Sequence, residues 1–418
     1  MQKVERPAII AGAGPVGTTA AVALARRGVP VVLIESAPEP LGDWRASTFH
    51  PSTMDLLAGL GLGIAEQMVQ TGLAVPRFQY RDRHAGLIAE LDLGLLADET
   101  AHPYRLQLNQ QHLVRMMVER LRDLDGVRLV FGSTVRGFVQ DDAGVTVTVE
   151  TPDGTTEIDG SYLIGADGAG STVRQNLSVD FDGLTYGERF VIVSTSADLS
   201  ELIPGIAHVN YVSDPDQWVF LLRTPESWRA VYPVPADTTR EVALAPEALQ
   251  RELQAIARLP GDYPILDSQL YGVHQRVASA FRVGAVALIG DAAHINSPLG
   301  GVGLNSGIHD ALDLTERIVR IREGADPDAE LDTFAAVRRR VAMEYIRADT
   351  HRNTERMKET DPAQRAHNQA ELRATAADPE RARSWMRRSS LLESVQRYGV
   401  GRPPEALADL LDPSGVSA

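Results

Sequence analysis

"AIIAGAGPVGTTAAVALARRGVPVVLIES", residues 8–36, decides the fold. Ala8–Ala11 is a short apolar strand. Gly12, Gly14 and Gly17, set around Pro15 and Val16, make G-x-G-x-x-G, and Thr18–Arg27 has the small-residue pattern of a helix packed close to a sheet. Gly28 ends that helix, Val31–Ile34 is the next strand, and Glu35 and Ser36 close it. In this order the glycines permit a tight turn, close approach of a pyrophosphate and close helix–strand contact, while the acid accepts from a ribose hydroxyl. A helix N-terminus carries about half a positive charge, which favours the anion. The stretch therefore predicts a Rossmann-like α/β dinucleotide site, without saying which dinucleotide.

Composition bounds the rest. At 418 residues the chain exceeds what one core usually serves, so two or three domains are expected. A net charge of −15 argues against broad nucleic-acid binding, which needs a basic surface. There is no cysteine, hence no disulfide, thiolate metal site or cysteine nucleophile, and no metal site is expected. No apolar run reaches the roughly 18 residues of a membrane span. The N-terminus enters a strand pattern without a signal-peptide layout, so a soluble, cytoplasmic protein is expected.

Further along, Gln110–Leu124 is a periodic helix with Leu113, Met116, Met117 and Leu121 on one face. Strands are expected at Arg128–Phe131, Val135–Gln140 and Val145–Glu150, with a hairpin turn at "TPDGTTE". "YLIGADGAGSTVR", residues 162–174, is another apolar strand, ending in Asp167-Gly168. Residues 181–270 read as an antiparallel sheet plus one helix, Pro246–Ala257. Val283–Ile289 reads as a strand delivering Asp291, and the chain after residue 328 as charged helices. "GDAAHINSPLGGVGLN", residues 290–305, crowds glycines where a strand turns into a helix. Glycine inside an element costs about 0.5–1 kcal/mol relative to alanine, so such a cluster usually lets something lie against bare backbone.

These three segments, in this order, resemble the fingerprints of the class A flavoprotein monooxygenases, the family of p-hydroxybenzoate hydroxylase and related aromatic hydroxylases. The resemblance covers about residues 8–345 and implies FAD as the dinucleotide. It further implies that Arg45 and Gln110 contact FAD and that Asp167 and Gly168 serve FAD and NAD(P)H. It places Gly290 and Asp291 at the flavin ribityl, Pro298 over the reacting flavin edge, and Gly301, Val302, Gly303, Leu304 and Asn305 against its N1–C2=O edge. The family often has Gly-Gln-Gly where this chain has Gly301-Val302-Gly303, which leaves the backbone amides but alters the wall.

The implied architecture is a Rossmann-like FAD-binding domain (1–76, 101–180, 271–330), an inserted antiparallel β-sheet substrate domain (77–100, 181–270) and a C-terminal helical region (331–418). The implied reaction is NAD(P)H-consuming hydroxylation of an activated ring by way of a flavin C4a-hydroperoxide, with O2 and NADH or NADPH as co-substrates. The ring would be a phenol, phenolic acid or hydroxypyridine. Arg223 with Tyr232 is the pair expected to orient it, because a phenolic acid needs a cation and a polar group. Arg45 is expected as a flavin or gating contact. His50 and His294 are expected to be structural, Arg338–Arg340 a solvated arginine face, and residues 360–400 a dimer arm or a lid, so a homodimer is a possibility. The rival readings are a quinone-precursor or polyketide-type hydroxylase, a flavin reductase, a halogenase of related fold, and a flavin binder without turnover. No W-x-W-x-I segment favours the halogenase.

Overall fold

A computed structural model describes residues 6–40, 42, 44 and 46–411. Arg45, expected at the flavin, lies outside the described residues. Ala8–Ala11 pairs in parallel with Val31–Ile34 on one side and Tyr162–Gly165 on the other. Val127–Val130 extends one edge in parallel and Val286–Leu288 the other. These strands are near-continuous apolar runs because both faces are covered. On one face, helix Pro15–Arg26 packs between Gly303–Arg322 and Gln110–Arg122. The meander Thr134–Asp141, Gly144–Thr151 and Gly154–Gly160 adds Val145, Val147 and Val149 to the same core.

The expected single strand Val283–Ile289 is instead a hairpin, Arg282–Val283 antiparallel to Val286–Leu288. Gly284, at φ +60°, turns the chain between them. The short strand that remains still delivers Gly290 and Asp291.

A second sheet has eight strands. Its order is His294–Ile295, Ile265–Ala278, Phe181–Thr195, Trp228–Pro235, Val219–Arg223, Val209–Ser213, Arg77–Asp82 and Gly86–Asp92. It is antiparallel except where Val209–Ser213 lies parallel to Arg77–Asp82. Ile265–Ala278 continues well past residue 270. Side chains alternate between the faces. The outer face, with Leu221, Ala230 and Tyr232, is covered by helix Pro246–Ile256 through Leu249 and Leu253. The inner face, with Phe78, Tyr211, Phe220 and Leu222, packs on Leu299 and on the C-terminal helices.

Three of the C-terminal helices start where an aspartate precedes a proline. Asp326, Asp361 and Asp378 each accept from backbone N–H groups of the turn they open, and the proline at the first helical position has no N–H to leave unpaired. Met386 and Leu392 are buried against the inner face of the large sheet, and Trp385 meets Tyr80 edge-on at 6.1 Å. The tail thus spends its apolar residues on its own chain. Among the described residues no helix is long and apolar enough to cross a membrane.

Candidate active site

The parallel strands end at a cavity of about 450 Å³, walled by Ala11, Ile34, Ala166 and Ile289 at or just beyond their carboxyl ends. That is where open α/β sheets bind ligands, and the volume lies in the usual range for one. The three glycine-rich segments meet here. Gly12, Gly14, Pro15 and Val16 come from the first, with Glu35 and Ser36 from the next strand end. Asp167 and Gly168 come from the second, Asp291 and Leu304 from the third, and Gln110 from the start of its helix.

The glycines divide by what a side chain would meet. A Cβ on Gly12 would lie 2.4 Å from the Ala166 carbonyl oxygen, and one on Gly17 would lie 2.0 Å from the Gly12 oxygen. The protein itself needs both to be bare. A Cβ on Gly14 or Gly168 meets no protein atom within 4 Å, yet both residues line the cavity. Their missing side chains leave room for a ligand.

The positive ends on this wall come from backbone. Helices Pro15–Arg26 and Gly303–Arg322 both begin without a side-chain cap, and Pro15, Val16 and Leu304 line the cavity. Their first N–H groups therefore remain for an anion. Among the described wall residues there is no lysine or arginine.

The carboxylates of the wall also order it. Glu35 accepts from Ala13 N–H at 2.8 Å and Ala37 N–H at 2.9 Å, which still leaves lone pairs for a hydroxyl. Asp167 accepts from Ser171 Oγ and from Val173 N–H, bracing the turn after Gly168. Arg174, stacked 3.8 Å from the Phe181 ring, donates to the carbonyls of Ala169 and Ala292. It ties the second segment to the third. Asp291 is exposed toward the cavity.

Pro298, Gly301, Val302 and Gly303 are not on this wall but in the adjoining turn, where Gly300 and Gly301 have φ of +124° and +67°. The turn is braced from behind. Asn305, expected at the cofactor, instead donates to the carbonyls of Thr48 and Gly301 and accepts from His50 N–H. Its side chain is a staple. Val302 points into the C-terminal core beside Val337 and Val341. The His50 ring sits 2.9 Å from the Gly300 oxygen. Burial first, then the charge of Arg105, lowers its pKa to about 3, so it is neutral and a poor base. That agrees with a structural role.

Gly290 stands behind the wall, its N–H donating to Asp310. Asp310 also meets His294 at 2.8 Å and Arg338 at 2.6 Å, all three buried. The expectation of a solvated arginine face therefore fails at Arg338, 1% exposed. Its carboxylate partner lies far away in sequence, so the arginine run alone could not reveal it.

Arg223 and Tyr232 are not brought to the cavity. They share the outer face, where Tyr232 is packed among Leu249 and Leu253, and Arg223 lies close enough to Asp198 to lower its pKa. Strand parity puts their neighbours on the inner face instead: Arg229 lies opposite Leu222, and Val231 opposite Phe220. Arg229 donates to Asn109, next to Gln110, and stacks 5.5 Å from Trp44. Two further wall residues, Ser133 and Thr134, follow the strand Val127–Val130. The rule that ligands sit beyond strand carboxyl ends would have found them.

A family model described as "FAD binding domain" matches residues 5–349. The chain belongs to the class A FAD-dependent aromatic hydroxylases. It is 34% identical to para-nitrophenol 4-monooxygenase of a Pseudomonas species, over 88% of this chain and 92% of the relative. It is 31% identical to 6-hydroxy-3-succinoylpyridine 3-monooxygenase of Pseudomonas putida, over 81% and 85%. The crystal structure of p-nitrophenol 4-monooxygenase from Pseudomonas putida superposes with a TM-score of 0.88 at 33% identity, covering 96% of this chain and all of that one. Aklavinone-11 hydroxylase, solved with FAD and aklavinone, gives a TM-score of 0.74 at 27% identity, over 85% and 70%. The hydroxylase is an aromatic monooxygenase, and its cofactor is FAD.

Proposed function

We propose that this hydroxylase adds one oxygen atom to an activated single ring, a phenol, phenolic acid or hydroxypyridine, using NADH or NADPH and O2. The observation that carries the reading is the pair of bare glycines, Gly14 and Gly168, beside a cavity that two uncapped helix N-termini face. The names of the relatives matched over most of their length, a nitrophenol and a hydroxypyridine monooxygenase, support the choice of ring.

In this reading the N–H groups of Val16 and Gly17 hold the pyrophosphate, Glu35 a ribose hydroxyl and Asp291 the ribityl chain. Gln110, on the cavity wall, flanks the flavin. Bound FAD, reduced by NAD(P)H, supplies the activation of O2 and the transfer of oxygen. The chain's own work is positional. The N-terminus of Gly303–Arg322 faces an edge that gains negative charge, and oriented amides stabilise it without reorganising. The Pro298–Gly303 turn, held by Asn305 and His50, supplies a wall that keeps its shape. The inner face of the large sheet, with Tyr211, Phe220 and Arg229, receives the ring in place of Arg223 and Tyr232.

The test is purified protein with flavin retained, given NADH or NADPH and a panel of phenols and hydroxypyridines. Ring product matched to cofactor consumed is expected for one of them; oxidation that never yields a hydroxylated ring overturns the reading. Gly14→Val should abolish flavin retention by filling the pyrophosphate space. Asp291→Ala should weaken it about ten- to a hundredfold, the value of one hydrogen bond to a charged group.

A further inference from the structure

A buried guanidinium is costly unless a partner meets its charge. At two buried arginines this chain supplies a carboxylate: Arg317 meets Asp313 and Glu330, and Arg338 meets Asp310. Arg105 is the contrast. It is 3% exposed, and among the described residues no carboxylate lies within ion-pair distance of it. Its one hydrogen bond goes to Tyr211 Oη at 3.2 Å. The guanidinium lies 4.0 Å from the Phe78 ring centroid, and its Nε has no partner.

The position is equally pointed. Strand Arg105–Gln107 pairs with Thr48–Phe49 and with Leu73–Val75. Gln107, two residues along and so on the same face of the strand, accepts from Thr48 Oγ1 but leaves its own Nε2 buried and unpartnered. Thr48 touches Gly301, where an added Cβ would come within 3.1 Å of the Thr48 Cβ. Gln107 therefore sits beside the Pro298–Gly303 turn, and Arg105 lies two residues away on the same face of the strand. Tyr211 is also the middle ring of a stack, 5.0 Å from Tyr80 and 4.8 Å from Phe220. A buried stack of electron-rich rings thus adjoins unmet N–H groups.

We propose that Arg105 is the residue that selects an anionic ring: its Nε, with Gln107 Nε2, donates to a negatively charged oxygen on a substrate lying against the Tyr211–Phe220 stack. This rests on the reading of the neighbouring cavity as the flavin site of an aromatic hydroxylase. The oxygen belongs to a phenolate or to a ring carboxylate, and both suit the same donors. Phe78 and Tyr211 fix the guanidinium plane, so that the fork is set before substrate arrives.

Calorimetric titration of the FAD-loaded enzyme tests it without turnover. The probes are para-nitrophenol above its ionisation, para-hydroxybenzoate, and the uncharged methyl ether para-nitroanisole. The wild type should bind one or both anions at least about tenfold more tightly than the ether, and Arg105→Met should erase that preference while leaving flavin content unchanged. Loss confined to para-nitrophenol assigns the phenolate, and loss confined to para-hydroxybenzoate assigns the carboxylate. Equal losses for charged and neutral rings overturn the proposal. Should Arg105→Met not fold, the wild type still tests the proposal, because affinity for both anions no higher than for the ether is also fatal. Charge-selective binding with no ring product would sink the hydroxylase reading and leave Arg105 in place; product formation with no charge selection would do the reverse.

Discussion

The two faces of the large sheet are both rich in aromatic residues, yet they end differently. The outer face is closed by its own helix: Trp228 donates to Asp198 at 2.9 Å, Tyr263 donates to the Ala257 carbonyl, and Leu249 and Leu253 fill the space between. Among the described residues it too leaves buried polar atoms unpaired, Tyr232 Oη and the acceptor Asn210 Oδ1. The inner face packs against the Pro298–Gly303 turn and leaves Arg105 Nε, Gln107 Nε2 and Trp218 Nε1 unmet nearby. Native structures leave few buried donors orphaned, so a group of them is a better sign of a ligand than the aromatic rings are.

Acid should have the largest effect, and it acts away from both faces. His50, at the Gly300 carbonyl, and His309, in the helix Gly303–Arg322, have pKa values lowered to about 3, chiefly by burial. Unfolded histidines take up protons as pH falls through about 6.5, whereas these cannot while folded. Their stabilising contribution is therefore complete above pH 6.5 and declines toward pH 3. Melting temperature should already fall between about pH 6.5 and 5, above the carboxylate range, and His309→Gln should flatten that slope. A level profile in that interval would contradict the sealed, neutral histidines.

Leu253→Ala comes next, on the outer face. Removing a side chain that is 1% exposed should cost about 2–5 kcal/mol in denaturant unfolding, with KM unchanged for the folded fraction. A changed KM would mean that the outer face also touches substrate. Arg229→Met, on the inner face, should lower kcat/KM about tenfold or more with flavin retained; wild-type kinetics would remove the inner face from the site. Arg223→Ala should shift stability by no more than about 1 kcal/mol and leave peroxide release per NAD(P)H as in wild type. Smallest of all, Tyr232→Phe removes a hydroxyl that meets no partner, so stability should stay within about 1 kcal/mol and activity should hold. Tight coupling lost in either variant would restore the pair to the active site.

Why does the sequence show the dinucleotide cradle but not which face of the sheet Arg223 and Tyr232 take? At Gly12, Gly14 and Gly17 the spacing is itself the physics, since each missing Cβ answers a local requirement of turn, ligand or helix. On Val219–Arg223 and Trp228–Pro235 both faces are buried, so alternation carries no label for inside. One residue of parity then separates Arg223 from Leu222 and Trp228 from Arg229. The turn "TPES" conceals which parity holds. Gly284 was equally visible, but a glycine inside an apolar run reads as tolerated until its φ is known. The triple-arginine helix misled for a different reason: Arg338 is decided by Asp310 on a separate helix, a tertiary fact with no local trace.

The interleaving of the parallel sheet has a consequence for biosynthesis. Ala8–Ala11 emerges from the ribosome early, but its neighbour Tyr162–Gly165 comes much later, and Val286–Leu288, which completes that edge, later still. Asp291 and the helix beginning at Gly303 follow even these. The nascent N-terminal half therefore has a glycine turn but no enclosed pocket, and flavin has nothing to hold it until about three-quarters of the chain has been made. Non-local pairing of this kind is slow to form and leaves strand edges waiting. Cofactor supply should accordingly govern the yield of mature protein after release from the ribosome rather than during elongation.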